Sequence, residues 1–292
     1  MTGNPAPADG PSFTVMGVVN VTPDSFSDGG DVLEAEAAIA HGLELAAQGA
    51  EILDIGGEST RPGAEPVGAE EEIRRVQPVI AGLAERGGAR SSIDPSKAAV
   101  ARAALDAGAS LVNDVTAFRA DPEMAALVAD SGAQCCLMHM LGEPRTMQQQ
   151  VDAHTYTDVV SEVRAFLEER MEYAVRQGVP EERIVLDPGI GFGKTATHNL
   201  ELLRGLGALA TIGRPLLVGT SRKSFLGRLT PGAPGPQARL PGTIATNVLA
   251  LERGASWFRV HDVGPVAAAL AVAAATLGRG WKAGGAETTA RT

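Results

Sequence analysis

Met16-Gly17-Val18-Val19-Asn20-Val21-Thr22-Pro23-Asp24-Ser25-Phe26-Ser27-Asp28-Gly29-Gly30 sets the reading of this chain. An apolar stretch of strand length stops at an asparagine, and a turn-rich segment with a single aromatic, Phe26, follows. A plain surface connection needs neither the asparagine nor the lone phenylalanine. Long loops leaving the C-terminal ends of strands are where α/β proteins keep their chemistry.

The same design recurs along the sequence. Short apolar runs at Thr14–Asn20, Glu51–Gly56, Arg90–Asp94, Ser110–Asp114, Gln134–Met138, Ile184–Asp187, Pro215–Gly219 and Trp257–Val260 predict strands. Amphipathic patterns between them, such as Leu33–Gln48, Ala69–Arg86, Lys97–Ala107 and Asp158–Gln177, predict helices. Gly49, Gly108, Gly132 and Gly254 each stand where a helix should end, a position that favours the residue free to adopt positive φ. Eight βα units within residues 13–281 point to a single closed (β/α)8 barrel. A doubly wound open sheet would more often carry a glycine-rich fingerprint after its first strand, and none is present. No domain boundary is evident; residues 1–12 and 282–292 read as flexible tails. Pro231–Pro241 reads as a mobile loop before the last helix.

The chain's 292 residues are 44% hydrophobic and 21% charged, enough apolar material for a substantial core. The formal net charge of −10 argues against a nucleic-acid or acidic-membrane partner, so an anionic substrate needs a local basic cluster. No apolar run reaches the roughly 18 residues a membrane span requires. The first dozen residues lack the basic start and apolar middle of a secretory signal. Cys135 and Cys136 are adjacent in an apolar run, where successive side chains point to opposite faces, so they read as small buried hydrophobes in a reduced cytoplasmic protein.

In a barrel, the strand ends converge on one face. Those positions hold Asn20, Asp54, Asp94, Asn113 with Asp114, Met138 with His139, Asp187, Lys223, and Arg259 with His261. Each buried polar group left unpaired costs about 1–3 kcal/mol, so this many together imply a shared ligand. Asp94, Asn113, Asp187 and Lys223 suit a flat heterocycle, and Asp187 can accept two bonds from a guanidine-like edge. Arg61, Arg259, His261 and the Asn20 amide suit a phosphate-bearing group, and Asn20 can also ligate magnesium. Plainer readings stand beside these. Asp54 can equally pin a neighbouring loop, Asp114 can be structural, His139 can be a satisfied core histidine, and His198 can cap a helix. Gly189–Lys194 lacks the spacing of a phosphate-binding Walker loop; its glycines would instead let Phe192 lie over a planar ligand.

These segments together resemble the dihydropteroate synthase family from about Val15 to Leu277. The resemblance is carried by Asn20–Gly30, Asp54-Ile55-Gly56-Gly57-Glu58-Ser59-Thr60-Arg61-Pro62-Gly63, Ser92-Ile93-Asp94, Asn113-Asp114-Val115 and Met138-His139-Met140. Asp187–Thr195, Ser221-Arg222-Lys223-Ser224 and Arg259-Val260-His261-Asp262 complete it. It implies condensation of 6-hydroxymethyl-7,8-dihydropterin pyrophosphate with 4-aminobenzoate, giving 7,8-dihydropteroate and pyrophosphate. Asp94, Asn113, Asp187 and Lys223 would then hold the pterin between Val115, Met138 and Phe192, with Arg259 stacked nearby. Asp94, Lys223 and Arg259 would be the catalytic groups. Asn20, Arg61, Arg259 and His261 would hold pyrophosphate, with Mg²⁺ at Asn20. Thr60, Pro62, Lys223 and Ser224 would receive the aminobenzoate under the Phe26 loop, a pocket that sulfonamides would share. A homodimer would form through the outer helices. Pyrophosphate departure would leave a pterin methylene cation that the neutral arylamine attacks, so no strong enzymic base is needed.

Two residues depart from the family pattern: Pro95, where Thr is usual, and Ala117, where Gly is usual. Both can shift the pterin pocket. Another pterin-binding barrel, such as a methyltetrahydrofolate methyltransferase, would have no reason to keep Ser59–Gly63 and Ser221–Ser224. A catalytically silent paralogue would be marked by loss of Asn20, Arg61, Lys223 or Arg259, and all four are present.

Overall fold

The computed structural model describes residues 13–21, 30–59, 64–142, 146–147, 151–152, 154–230 and 235–279. Both predicted tails lie outside them. The described strands are β1 (Thr14–Asn20), β2 (Ile52–Gly56), β3 (Arg90–Ile93), β4 (Leu111–Asp114), β5 (Gln134–Met138), β6 (Ile184–Asp187), β7 (Leu217–Val218) and β8 (Trp257–Val260). All pair in parallel, in the order β6-β5-β4-β3-β2-β1-β8-β7. The seam between β6 and β7 closes through a parallel bridge, Leu186 with Leu216, and a bond from Leu186 N–H to the Pro215 carbonyl at 2.9 Å. The barrel expected from the repeating units is the fold observed. β7 is shorter than the predicted Pro215–Gly219, in keeping with a proline that has no N–H to donate.

The helices are α1 (Gly30–Ala47), α2 (Ala69–Arg86), α3 (Ala98–Asp106), α4 (Met124–Ser131), α5 (Val159–Arg176), α6 (Ala196–Ala210), α7 (Ser224–Leu229), α8 (Leu240–Glu252) and α9 (Val263–Thr276). Gly49, Gly108, Gly132 and Gly254 all take positive φ at the helix-to-strand turns, as predicted. The Pro231–Pro241 expectation needs correction. Gln237–Arg239 form a 3₁₀ turn, Leu240 and Pro241 already belong to α8, and α9 rather than α8 is last. A proline is tolerated in the first helical turn because its missing N–H would be unpaired there anyway.

Strand periodicity explains how the site is built. Met16, Ile52, Leu111, Cys136, Val185 and Leu217 form one buried apolar cluster, with Trp257 packed against it. Two residues further along the same strands stand Val18, Asp54, Asn113, Met138, Asp187, Gly219 and Arg259. Residues i and i+2 of a strand share a face, so the barrel carries an apolar plug with a mostly polar layer directly above it. A larger apolar cluster, including Val19, Leu53, Ile93, Val112, Leu137 and Phe258, fills the space under the helices. Both cysteines are buried and unpaired, and burial pushes the Cys135 thiol up to about 12.

Candidate active site

Asp54 is the hub of the polar layer. It is 0% exposed. Its Oδ1 accepts from Ser92 Oγ at 2.7 Å, and its Oδ2 accepts from Asn113 Nδ2 at 3.0 Å and Arg259 Nε at 2.6 Å. The Asp54–Ser92 contact follows from register, since the two residues are partners across β2 and β3. Arg259 also donates from Nη2 to Asp94 Oδ2 at 3.1 Å. Burial alone would lower the Arg259 pKa, but Asp54 and Asp94 reverse the direction, so it stays a guanidinium. Among the described residues Asp54 pins no loop; it orients Asn113 and Arg259.

Asp94 and Asp187 are the acceptors left open. Asp94 Oδ1 is buried with no hydrogen-bond partner, an arrangement that asks for a donor from a ligand. Burial raises the Asp94 carboxyl to about 8, against the pull of Arg259 and with the push of Asp54. Asp187 Oδ1 accepts from Gly189 N–H at 2.7 Å. Burial raises Asp187 to about 6, opposed by that bond and by Lys223. Lys223 is drawn down to about 8 by burial and by Arg259. Its Nζ lies 4.0 Å from the Phe192 ring centroid. Val115, Met138, Met140 and Met147 form a small apolar cluster with Phe192 packed on it, so the predicted apolar walls do come together.

The other end of the site is built around His261. Ser221 Oγ accepts from the His261 N–H at 3.1 Å, and its own hydroxyl sits 3.0 Å from His261 Nδ1. The serine hydroxyl can therefore donate to Nδ1, which leaves the proton on Nε2. Burial and then Arg259 lower His261 to about 3, so it is a neutral imidazole. Arg222, at φ 59, grips Asp262 with two bonds of 3.0 and 2.6 Å. A non-glycine residue in this left-handed conformation costs about 1–2 kcal/mol, and such strain persists only where neighbours hold it. Here it sends Arg222 to Asp262, while the next residue, Lys223, turns toward Phe192.

Other expectations resolve in the loops. Asp114 is structural, accepting from Thr116 N–H, Thr116 Oγ1 and Phe118 N–H. Those bonds secure a turn in which Ala117 (φ 52) and Phe118 (φ 62) are both left-handed, so Ala117 does adopt the conformation that glycine favours. Pro95 follows Asp94 as a buried residue. His198 caps α6 in a reciprocal pair with Thr195. Ser224 is exposed at the start of α7. Phe26, Thr60, Arg61 and Pro62 lie outside the described residues. Sequence reasoning missed a network at the base of the β2–α2 loop. Glu58 accepts from Val67 N–H and Lys97 Nζ, and Lys97 also meets the fully buried Glu72. It also missed Lys194, whose place directly after the glycine-rich run was its only mark.

Among the described residues, no group of three His, Cys, Asp or Glu stands ready to hold a metal. Asn20, at the end of β1, is the residue whose side-chain oxygen could meet a magnesium ion, since Mg²⁺ commonly takes one or two protein oxygens alongside waters and substrate phosphates.

Comparison with known proteins agrees with this geometry. The model of the pterin-binding enzyme family matches residues 16–261. A dihydropteroate synthase from Mycobacterium leprae is 47% identical over 270 residues, covering 91% of this chain and 94% of that protein. The solved dihydropteroate synthase of Xanthomonas albilineans with 4-aminobenzoic acid is 49% identical, with a TM-score of 0.83 over 90% of this chain and 93% of that one. The same enzyme in complex with 7,8-dihydropteroate superposes with a TM-score of 0.80 at 45% identity, again over 90% and 93% of the two chains. The chain therefore belongs to the dihydropteroate synthases of the pterin-binding enzyme family.

Proposed function

We propose that the polar layer and its rim divide the reaction between them, the Asp94–Asn113–Asp187–Lys223 cup holding the pterin and the Asn20–Arg259–His261 side taking the pyrophosphate. The reaction condenses 6-hydroxymethyl-7,8-dihydropterin pyrophosphate with 4-aminobenzoate. The observation that carries the division of labour is Asp94 Oδ1, a buried carboxyl oxygen that no group among the described residues satisfies. Asp187 presents its second oxygen, and Lys223 an ammonium, beside the Phe192 ring. A pterin offers paired N–H donors and a carbonyl oxygen, and its flat faces fit between Phe192 and the methionines.

The chemistry follows from charge. The C–O bond to pyrophosphate breaks with its electron pair leaving on oxygen, and the pterin methylene becomes a cation conjugated with the electron-rich ring. Anionic Asp187 attracts that growing positive charge more strongly than the neutral ground state, which is the condition for lowering the barrier. Magnesium, held through Asn20 and the pyrophosphate, would supply charge neutralisation on the leaving group. The Arg259 guanidinium and the His261 Nε2–H add donors on the same side. The arylamine lone pair then forms the C–N bond, and the adduct sheds its extra proton to water or to released pyrophosphate. Thr60, Pro62 and Ser224, with the Phe26 loop, would receive the aminobenzoate, and Arg61 would join the anion site.

Pyrophosphate release by purified protein, with pterin pyrophosphate, Mg²⁺ and 4-aminobenzoate each omitted in turn, tests this reading. Release that requires all three supports it; tight pterin binding without release refutes it. Cytoplasmic location and a homodimer belong to the same proposal. The buried, unpaired cysteines support the first. For the second, Leu249 on α8 and Val272 on α9 are exposed on neighbouring outer helices. Sedimentation equilibrium reads the dimer directly, and a monomer at micromolar concentration refutes it.

A further inference from the structure

The loop after β6 has an unusual construction. Gly189, Gly191 and Gly193 all take positive φ, at 66, 85 and 63 degrees. A Cβ on Gly189 would stand 1.8 Å from the His139 carbonyl oxygen, so the backbone there runs against the end of β5 with no room for a side chain. Glycine-rich chain has little intrinsic preference for one conformation, and a loop of this kind must be held by its surroundings.

Lys194 holds it from inside. The side chain is 3% exposed. Its Nζ lies 2.8 Å from His139 Nδ1, 2.9 Å from the Gly189 carbonyl, 3.0 Å from the Phe192 carbonyl and 3.4 Å from the His139 carbonyl. Burial lowers the Lys194 pKa to about 7, and in its protonated form the ammonium has three hydrogens to give, which the three short contacts use. Tyr156 Oη donates to the Gly193 carbonyl at 3.1 Å, and Asn199 Oδ1 accepts from Gly191 N–H at 2.7 Å. The imidazole of His139 packs edge-on against Phe166 and is buried. Burial and then the Lys194 charge lower its pKa to about 2, which keeps Nδ1 free to accept.

What the loop touches gives this its meaning. Gly189 N–H bonds Asp187, Phe192 lies against Lys223, and Gly191 approaches so closely that an added Cβ would meet Lys223 Cδ at 3.0 Å. We infer that Lys194 is a positioning residue for the pterin half-site: fastened to His139, it fixes the Gly189–Gly193 loop and thereby sets Asp187, Phe192 and Lys223 against the ring. His139 acts as its anchor and touches no substrate. This rests on the assignment of Asp187, Phe192 and Lys223 to the pterin.

The test compares the two substrates in the full-length enzyme. In Lys194→Met, the Kd for 6-hydroxymethylpterin by titration calorimetry rises roughly tenfold or more, while the KM for 4-aminobenzoate, which shares only Lys223 with this loop, rises by no more than about threefold. A purely structural lysine would move both constants together, or only the melting temperature, and either result overturns the inference. His139→Asn keeps an acceptor for Lys194 and retains near-native pterin affinity, whereas His139→Leu loses it. If Lys194→Met does not fold, this histidine pair decides, and native pterin affinity in His139→Leu overturns the inference. Asp187→Asn is measured alongside. Native affinity there overturns the underlying pterin assignment; weak binding there beside an unaffected Lys194→Met overturns the positioning role alone.

Discussion

Asp187→Asn is the substitution whose effect the geometry specifies most closely. One carboxylate oxygen is committed to Gly189 N–H at 2.7 Å, and the other is the one proposed to meet the pterin. Asparagine has one acceptor where aspartate has two. If its carbonyl keeps Gly189, its NH₂ confronts the ring's own N–H donors; if it turns, Gly189 loses its partner. A hydrogen bond to a charged group contributes about 1.5–3 kcal/mol, and the opposed donors add to that loss, giving about 2–4 kcal/mol. In affinity this is roughly 30- to 1000-fold. A second consequence follows at Lys223, whose pKa the Asp187 charge holds up. Without that charge, the high-pH limb of binding moves below its native position. Titration calorimetry of 6-hydroxymethylpterin against wild type and variant, repeated across pH, reads both. Unchanged affinity would refute the assignment of Asp187 to the ring.

Other expectations can be checked independently. In wild type, kcat/KM for pterin pyrophosphate should be bell-shaped: Asp187 must be ionised, so the rate falls as pH drops through about 6, and Lys223 must be protonated, so it falls as pH rises through about 8. A profile flat from pH 5 to 9 would contradict both directions. Asp54→Ala leaves the Arg259 guanidinium with Asp94 alone and strips Ser92 and Asn113 of their acceptor, and should cost about 3–5 kcal/mol. That is roughly a 10 °C fall in melting temperature for a domain of this size, and a shift below about 2 °C in calorimetry would show that Asp54 is not the hub. Ala117→Gly should be nearly neutral, within about 1 kcal/mol, because relief of the left-handed strain (about 1–2 kcal/mol) is offset by chain entropy and a lost buried methyl. A larger shift on thermal unfolding would contradict that balance. Sulfonamides should compete with 4-aminobenzoate in steady-state kinetics; non-competitive behaviour would count against the shared pocket of Thr60, Pro62 and Ser224.

The barrel was legible because each strand is a short apolar run followed by a helix with a glycine at its end, and these are local properties. The acceptors Asp94 and Asp187 were legible too, since a carboxylate ending an apolar strand is conspicuous in any sequence. What joins them was not. Asp54 meets Ser92, Asn113 and Arg259, partners 38, 59 and 205 residues away, and only barrel closure brings β8 beside β1 and so within reach of β2. Arg259 read as a cation free for pyrophosphate, but two of its nitrogens are committed to Asp54 and Asp94. Lys194 stayed hidden for a different reason. Its acceptors are mostly backbone carbonyls, which leave no trace in side-chain identity. The left-handed Arg222 was likewise invisible, because an arginine gives no local hint of positive φ.

Departure of pyrophosphate before amine attack is the claim on which the site's lack of a strong base depends. Single-turnover rates with ring-substituted 4-aminobenzoates of graded amine basicity test it most directly. The account predicts rates that barely change across the series, because the amine is not yet bonding when the barrier is crossed. A steep rise in rate with basicity would mean concerted displacement and contradict it.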